Sequence, residues 1–313
     1  MFWNRQGVRS IARQGATSRH SVRKGMVGSF FSDVSIRADG FNVTRSHVSS
    51  EARGIKVHIG LLGPLTVTDQ CIPIDIPGEK LRAIVATLAL TSGTTVSSFA
   101  LLDELWGEQP PRSAANSLQG HIARLRRSLV QHSGREEMRK VIRTSGSGYM
   151  LALPPENVDA SRFIVDVELA GRLKARDPEK AIALLTKALD TWRGPALLDT
   201  GHGMICRTAA ARLEDTRLMA RELLIEAKLA LGNHYEVVSE LEQLLARHPL
   251  RERLCEQLMI ALYRSGRQAD AIGTFHRVRQ RLSAELGLEP GPGLQNTMAE
   301  ILRQGPSLLH QVG

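Results

Sequence analysis

Aromatic residues, cysteines and long apolar runs are all scarce in this chain of 313 residues. Phe, Trp and Tyr account for only 4% of it, and a sequence with few aromatic residues but much Leu and Ala favours helices over a β-sandwich. No apolar run reaches the roughly 18 residues of a membrane-spanning helix. A GxxxxGKS/T phosphate loop is also missing from the sequence, which argues against a P-loop ATPase.

The three cysteines, Cys71, Cys206 and Cys255, are far apart and odd in number. None belongs to a CxxC pair or a Cys/His cluster, so neither a zinc site nor a disulfide framework is predicted. We expect buried thiols in a reducing cytoplasm. His202 lies close to Cys206, but no third group orients the pair for nucleophilic catalysis. The sequence therefore predicts no enzyme, no metal and no cofactor.

Positive charge is concentrated near the N-terminus. The whole chain has 41 Lys and Arg against 32 Asp and Glu, whereas residues 1–54 alone have nine against three. Since the remainder is nearly neutral, net charge by itself is weak support for nucleic acid binding. Residues 1–54 lack a sustained apolar period, which predicts a disordered basic extension. A later translation start, for instance at Met26, and a targeting segment stay open as alternatives.

Residues 55–155 are predicted to form the first domain, which begins with a small sheet and ends with a β-hairpin. Short strands are indicated within residues 55–68, and the alternating isoleucines of residues 72–76 predict a further strand. Residues 139–153 predict two more strands, with residues 145–148 as the turn between them.

Three helices are predicted between the sheet and the hairpin, because apolar residues there recur every three or four positions. The second begins after Ser97, which suits a helix N-cap, and the third covers about residues 113–131. We expect Asp103 and Glu104 to be ordinary surface charges and Trp106 to pack in the core. A sheet, three helices and a basic hairpin in this order predict a winged helix-turn-helix.

The third predicted helix has an outward face that suits the major groove of DNA. Its apolar residues share one side, and no Asp or Glu occurs in residues 112–135. Arg suits guanine, Asn and Gln suit adenine, and the small Gly120 permits a close approach. An ordinary solvated face is the alternative. The predicted DNA-binding residues of this helix and the hairpin are Arg112, Asn116, Ser117, Gln119, Gly120, Arg124, Arg126, Arg127, Lys140, Arg143, Thr144 and Ser145.

Residues 158–303 are predicted to be helical and repetitive, followed by a tail of residues 304–313. Gly232 and Gly266 are 34 residues apart, and the apolar residues that follow them match in position. A 34-residue period is typical of tetratricopeptide repeats, which stack into a surface for partners. A packing or dimerisation scaffold without a ligand is the alternative.

Six motifs follow one another along residues 56–303 in an order that points to a known family. They are LLGPLTV, LDELWGEQPPRSAANSLQGHIARLRRSL, GSGYML, TWRGPAL, HPLRERLCEQLMIALYRSGRQADAI and LSAELGLEPGPGLQ. Together they resemble the Streptomyces antibiotic regulatory protein family, in which an OmpR-type winged helix precedes a bacterial transcriptional activator domain. The resemblance implies a mostly α-helical fold with a small β component, in which a tetratricopeptide-like domain follows the winged helix.

The resemblance also implies a mechanism and partners. It implies an activator that binds direct repeats in double-stranded DNA as a homodimer or as side-by-side protomers. Such a protein contacts RNA polymerase holoenzyme through its sigma factor and activates a secondary-metabolite gene cluster. By position, Arg124 would contact a base and Arg126 a phosphate, with Arg112 and Asn116 at the helix entrance. The sequence departs from the family at Ser145, where relatives often carry an Arg in the wing turn. A fragment of residues 55–157 is expected to bind DNA but to activate transcription poorly. From the residues alone, a helical scaffold and a promoter-occluding repressor stay open.

Overall fold

A computed structural model of the protein describes residues 56–305. The predicted basic extension of residues 1–54 and all but the first two residues of the predicted tail lie outside this range. Within it, the chain is mostly helical with a small β component, as predicted. No described helix is both long enough and apolar enough to cross a membrane.

An antiparallel sheet opens the described part of the chain. Its strands β1 (Val57–Gly60), β2 (Thr66–Asp69) and β3 (Ile72–Pro73) are hydrogen-bonded in that order. The third strand is shorter than the alternation of isoleucines predicted, because Pro73 and Pro77 have no N–H to donate to a ladder. Ile74 and Ile76 are nevertheless buried. The alternating isoleucines of this segment therefore indicated which side chains are buried, but not how long the strand is.

Three helices follow, as predicted: α1 (Glu79–Leu90), α2 (Ser98–Trp106) and α3 (Ala114–Ser133). Ser97 caps α2, since its side chain accepts a hydrogen bond of 3.1 Å from the backbone N–H of Ala100. The third helix ends at Gly134, whose φ of 66° is the left-handed conformation that glycine adopts most easily. Trp106 packs, partly buried, at the edge of the core.

A second sheet forms the wing of a winged helix-turn-helix. It consists of β4 (Thr95–Ser97), β5 (Ile142–Ser145) and β6 (Gly148–Leu151), and β6 lies between the other two. The sequence did not predict β4, which has only three residues. Lys140, expected on the hairpin, belongs to a 3-10 turn over Glu136–Val141 that directly precedes it.

Seven helices complete the part of the chain that the structure describes. They are α4 (Asp159–Leu173), α5 (Pro178–Leu189), α6 (Met204–Ala230), α7 (His234–Arg247), α8 (Glu252–Arg264), α9 (Gln268–Leu286) and α10 (Pro292–Arg303). Gly232 follows α6 and Gly266 follows α8, each with positive φ, so the predicted 34-residue repeat corresponds to successive helix pairs. The matched residues Val237 and Leu241 in α7, and Ala271 and Phe275 in α9, are buried.

Two hydrophobic cores lie within residues 56–305. The N-terminal core extends from Val57 to Leu224 and includes side chains of the winged helix as well as Phe163 of α4 and Leu213 of α6. The C-terminal core extends from Ile225 to Ile301. The winged helix therefore shares one core with α4, α5 and the first part of α6, and α6 alone contributes to both cores.

Polar contacts also join the winged helix to the helices that follow. The carboxylate of Asp159, at the start of α4, accepts hydrogen bonds from the backbone N–H groups of Leu61 at 2.6 Å and Leu62 at 3.3 Å. Asp199, in the segment between α5 and α6, accepts a 2.7 Å bond from the backbone N–H of Leu65. Asp199 also forms a 3.2 Å salt bridge with Arg82 of α1.

Glu104 does not lie at the surface, and the prediction that it does was wrong. Its side chain is buried, and its carboxylate accepts hydrogen bonds from the backbone N–H groups of Ile205 at 2.7 Å and Cys206 at 2.9 Å. These N–H groups belong to the first turn of α6 and have no partner inside the helix. The neighbouring Asp103 is exposed, as predicted.

Candidate DNA interface

The two sides of α3 differ sharply in burial and in chemistry. Its apolar residues Leu118, Ile122, Leu125 and Leu129 are all buried in the N-terminal core. The polar side faces outward, and it is the side on which the sequence placed a DNA contact. Of the predicted residues on or just before this helix, Ser117 and Arg126 are half-buried, and the exposed ones are Arg112, Asn116, Gln119, Gly120, Arg124 and Arg127.

The exposed arginines of this face form no salt bridge with a residue in the described range. No carboxylate of residues 56–305 forms a salt bridge with Arg112, Arg124 or Arg127. A cation without an intramolecular partner stays available for the phosphates and base edges of DNA. The exposed side of α3 is thus a band of amides and unpaired guanidinium groups.

Arg126 has a structural role that the sequence did not reveal. Its Nε donates a 2.9 Å hydrogen bond to the backbone O of Ile142, and its Nη2 donates a 2.9 Å bond to Oγ1 of Thr144. Both partners lie on β5. Arg126 therefore ties α3 to the wing, in the position where the family resemblance places a phosphate contact.

The wing tip is held against the start of α2. Oγ1 of Thr95 donates a 2.9 Å hydrogen bond to Oγ of Ser145, and both the N–H and the hydroxyl of Ser98 bond to the backbone O of Ser147, at 3.0 and 2.7 Å. The strands are joined by Gly146 and Ser147 alone, and Gly146 has a φ of 54°. Serines in this turn thus fix the wing tip through hydrogen bonds to β4 and α2.

The remaining predicted hairpin residues lie along the start of the wing. Lys140 and Thr144 are exposed, whereas Arg143 is half-buried. Nε of Arg143 donates a weak 3.3 Å hydrogen bond to the backbone O of Lys140. The predicted DNA-binding residues thus lie on α3, just before it and along the start of the wing, and Arg126 joins α3 to the wing. Their contact with DNA stays a prediction.

A stack of side chains borders this interface. Nζ of Lys80 lies 4.3 Å from the centre of the Trp106 ring, and the ring of His121 stacks on Trp106 with 6.1 Å between ring centres. Burial, and then the positive charges of Lys80 and Arg124, lower the pKa of His121 below its ordinary value of 6.5. The imidazole is therefore neutral at physiological pH.

Other reactive groups of the described residues do not converge. Burial raises the pKa of Cys206 and that of Cys255 to about 12, so both thiols stay protonated. Cys71 is exposed at the turn between β2 and β3, so the expectation of a buried thiol was wrong at this position. No group of three His, Cys, Asp or Glu in residues 56–305 has the arrangement of a metal site. The chemistry that these residues bring together is hydrogen-bond donation at the surface of α3 and the wing.

A winged helix with a basic exposed helix, joined to helical repeats, defines a transcriptional regulator. Family profiles match both parts: residues 77–151 match "Transcriptional regulatory protein, C terminal", and residues 158–302 match "Bacterial transcriptional activator domain". The chain belongs to the Streptomyces antibiotic regulatory protein family, which confirms the resemblance of its motifs.

Relatives from two bacterial genera support this assignment. Transcriptional regulator RedD of Streptomyces coelicolor is 44% identical over 252 residues, which are 80% of this chain and 72% of RedD. Regulatory protein DnrI of Streptomyces peucetius is 40% identical over 258 residues, 80% of this chain and 94% of DnrI. The solved structure of Mycobacterium tuberculosis EmbR in complex with a low affinity phosphopeptide has a TM-score of 0.75 and 34% identity, covering 82% of this chain and 68% of the EmbR chain.

Proposed function

We propose that the protein is a sequence-specific DNA-binding activator that recognises direct repeats near promoters. One observation carries this proposal. The apolar side of α3 is buried in the core. The other side exposes amides and arginines, and these arginines have no carboxylate partner among residues 56–305. A helix with these properties in a winged helix-turn-helix enters the major groove.

Within this arrangement, different residues serve different purposes. Arg124 reads a base edge, and Asn116 and Gln119 are suited to adenine. The remaining cations, Arg112, Arg127 and Lys140, neutralise phosphates and set the register on the duplex. Half-buried Ser117 adds a hydroxyl beside Asn116, and Arg126 holds the wing against α3. The wing residues Arg143, Thr144 and Ser145 contact the backbone or the adjacent minor groove.

We infer that the helical repeats supply the contacts beyond DNA. Stacked helix pairs present extended surfaces to protein partners, and the family resemblance favours RNA polymerase holoenzyme, through its sigma factor, as that partner. Protomers then bind side by side, or as a homodimer, on consecutive repeats. The regulated genes are those of a secondary-metabolite cluster, and the protein acts in the bacterial cytoplasm on the chromosome.

A footprint with the purified protein tests DNA binding directly. The probes are the promoters beside its own gene, at two salt concentrations. We expect two evenly spaced direct repeats to be protected and the protection to fall steeply at the higher salt, because released counterions drive binding. Folded protein that protects no site would contradict the proposal and leave an interaction scaffold as the better explanation.

Transcription in vitro from the same promoter separates activation from repression. We expect added protein to increase the transcript made by RNA polymerase holoenzyme. A decrease that follows the footprint would instead identify a repressor that occludes the promoter.

A further inference from the structure

The first turn of α6 is inserted between two helices of the winged helix-turn-helix. Glu104 of α2 caps this turn with both carboxylate oxygens, at 2.7 and 2.9 Å. On the other side, Sγ of Cys206 lies 3.6 Å from Oγ1 of Thr87 in α1, and both residues are buried. The start of α6, within the activator domain, is thus in direct contact with α1 and α2 of the winged helix-turn-helix.

This contact requires a glycine at position 203. A Cβ atom added to Gly203 would lie 2.1 Å from Cδ of Glu104 and 2.5 Å from its backbone O. Neither atom belongs to the free end of an exposed side chain, so the two segments would have to separate. The close approach of α2 to α6 therefore depends on Glu104 on one side and on Gly203 on the other.

Glu104 is one of the two buried residues that anchor α2. Of the nine residues of this helix, only Leu101 and Glu104 are buried. Leu101 packs into the N-terminal core, whereas Glu104 is directed to α6. Because α2 also holds the wing tip through Ser98 and packs on α3, a change in its position moves both parts of the interface that contact DNA.

We propose that Glu104 is a positioning residue for DNA recognition: by capping α6 it fixes α2, and with it α3 and the wing tip, in the arrangement that binds DNA. The inference rests on the proposed function. It makes DNA affinity depend on the activator domain, and by thermodynamic linkage a partner that displaces the start of α6 changes that affinity.

Three variants of the full chain test the inference. Glu104→Gln keeps the size of the side chain but loses its charge and one acceptor oxygen. Asp103→Asn is the matched control, since Asp103 is adjacent and exposed. Asp199→Asn weakens a different contact between the winged helix and the segment before α6, one that does not involve α2.

Two quantities are measured on the promoter site that the wild-type protein protects. When protein is titrated into DNA at a concentration well above the Kd, the equivalence point gives the fraction of protein that is active. When the DNA concentration is well below the Kd, the binding curve gives the Kd of that active fraction. A purely structural role lowers the active fraction or the Tm but leaves the Kd unchanged. We expect Glu104→Gln to raise the Kd about tenfold and to lower the ratio of specific to non-specific binding, while Asp103→Asn matches the wild type.

The outcomes distinguish the inference from the proposed function. If Glu104→Gln binds with the wild-type Kd, or if Asp199→Asn raises the Kd equally, Glu104 has no special positioning role and the inference is overturned. If the wild-type protein binds no DNA at all, the proposed function fails, and the inference fails with it. If Glu104→Gln is not folded enough to assay, hydrogen exchange on the wild type decides: α2 must be protected to the same extent as the start of α6.

Discussion

Arg124 and Gly120 are one turn apart on the exposed side of α3, and each is suited to a close approach of DNA in a different way. Arg124 supplies a guanidinium group without a partner carboxylate in the described range, and Gly120 supplies space, since a Cβ added there would meet nothing within 4 Å. A recognition helix needs both properties, because a side chain reaches a base edge only where the helix backbone lies deep in the groove.

Replacing Arg124 with Ala is expected to cost about 1–3 kcal/mol of binding free energy and to relax the preference at one base position. The measurement is a set of Kd values on the protected site and on single-base variants of it. Arg172→Ala, which removes an exposed Arg of α4, is the matched control and should leave all of them unchanged. An equal loss on every sequence would instead assign Arg124 to a phosphate.

Gly120→Ala is expected to change stability and affinity in opposite directions. Ala in a helix interior is favoured over Gly by about 0.5–1 kcal/mol, so the free energy of unfolding should rise, while the added methyl group blocks the base edges and raises the Kd. Gly273→Ala in α9 is the control, because it removes another helical glycine whose surroundings accept a methyl group. It should stabilise the protein without weakening DNA binding; a Gly120→Ala variant that binds as well as wild type would show that α3 stays clear of the bases.

We expect His121 to couple pH to both stability and DNA binding. Its pKa in the folded protein lies below the ordinary 6.5, so the folded state binds this proton less readily than the unfolded state. The stabilising contribution of the neutral ring is complete above about pH 6.5 and is lost as the pH falls toward the folded pKa. Bound phosphates favour the protonated ring, so DNA binding should take up a proton in the same pH range.

The expected result is a Tm that falls and a Kd that tightens as the pH is lowered from about 7.5 to about 5.5. Thermal melts and binding curves of the wild type and of His121→Gln measure both trends. In the variant, both the Tm and the Kd should change less with pH than they do in the wild type. If the trends persist unchanged in the variant, other groups are responsible for them.

At the scale of elements, the sequence predicted the helices in which apolar residues recur over several turns. It did not predict features that depend on contacts between residues far apart in the sequence. The buried residues of α3 repeat over about four turns. The helix pairs of the activator domain repeat every 34 residues, so the sequence predicted both. Strand β4 has three residues, too few for an alternating pattern. The burial of Glu104 depends on backbone N–H groups 101 and 102 residues further along the chain. No pattern in the sequence near Glu104 indicates such a contact.

The missed strand β4 yields a prediction of its own. A Cβ added to Gly148 in β6 would lie 2.1 Å from the backbone O of Val96 in β4. Gly148→Ala should therefore force the two strands apart and lower the free energy of unfolding by about 1–3 kcal/mol. Ser147→Ala, at the exposed turn beside it, is the control. Equal denaturant midpoints for both variants would show that β4 does not pair as closely as described.

At the scale of the whole molecule, the predicted boundary near residues 155–158 does not divide the hydrophobic core. Side chains of α4, α5 and the first part of α6 complete the packing around the winged helix. The fragment of residues 55–157, which the sequence led us to expect as an independent DNA binder, would expose this apolar surface to water.

We therefore expect the fragment of residues 55–157 to be poorly folded and to bind DNA weakly, whereas a longer fragment that retains residues 55–230 keeps the N-terminal core. Circular dichroism melts and titration with the protected site compare the two. A cooperative melt and wild-type affinity for the shorter fragment would show that the shared core contributes little to the stability and the DNA affinity of the winged helix.

The helix that belongs to both cores has a geometric consequence. At about 1.5 Å per residue, the 27 residues of α6 span about 40 Å. A helix of this length acts as a lever arm, so a tilt of roughly 5° at its capped end displaces the far end by roughly 3.5 Å. On the proposed function, we therefore expect small adjustments of the winged helix to different operator sequences to be amplified at α7–α10. The position of these helices along a promoter would then depend on the sequence that is bound.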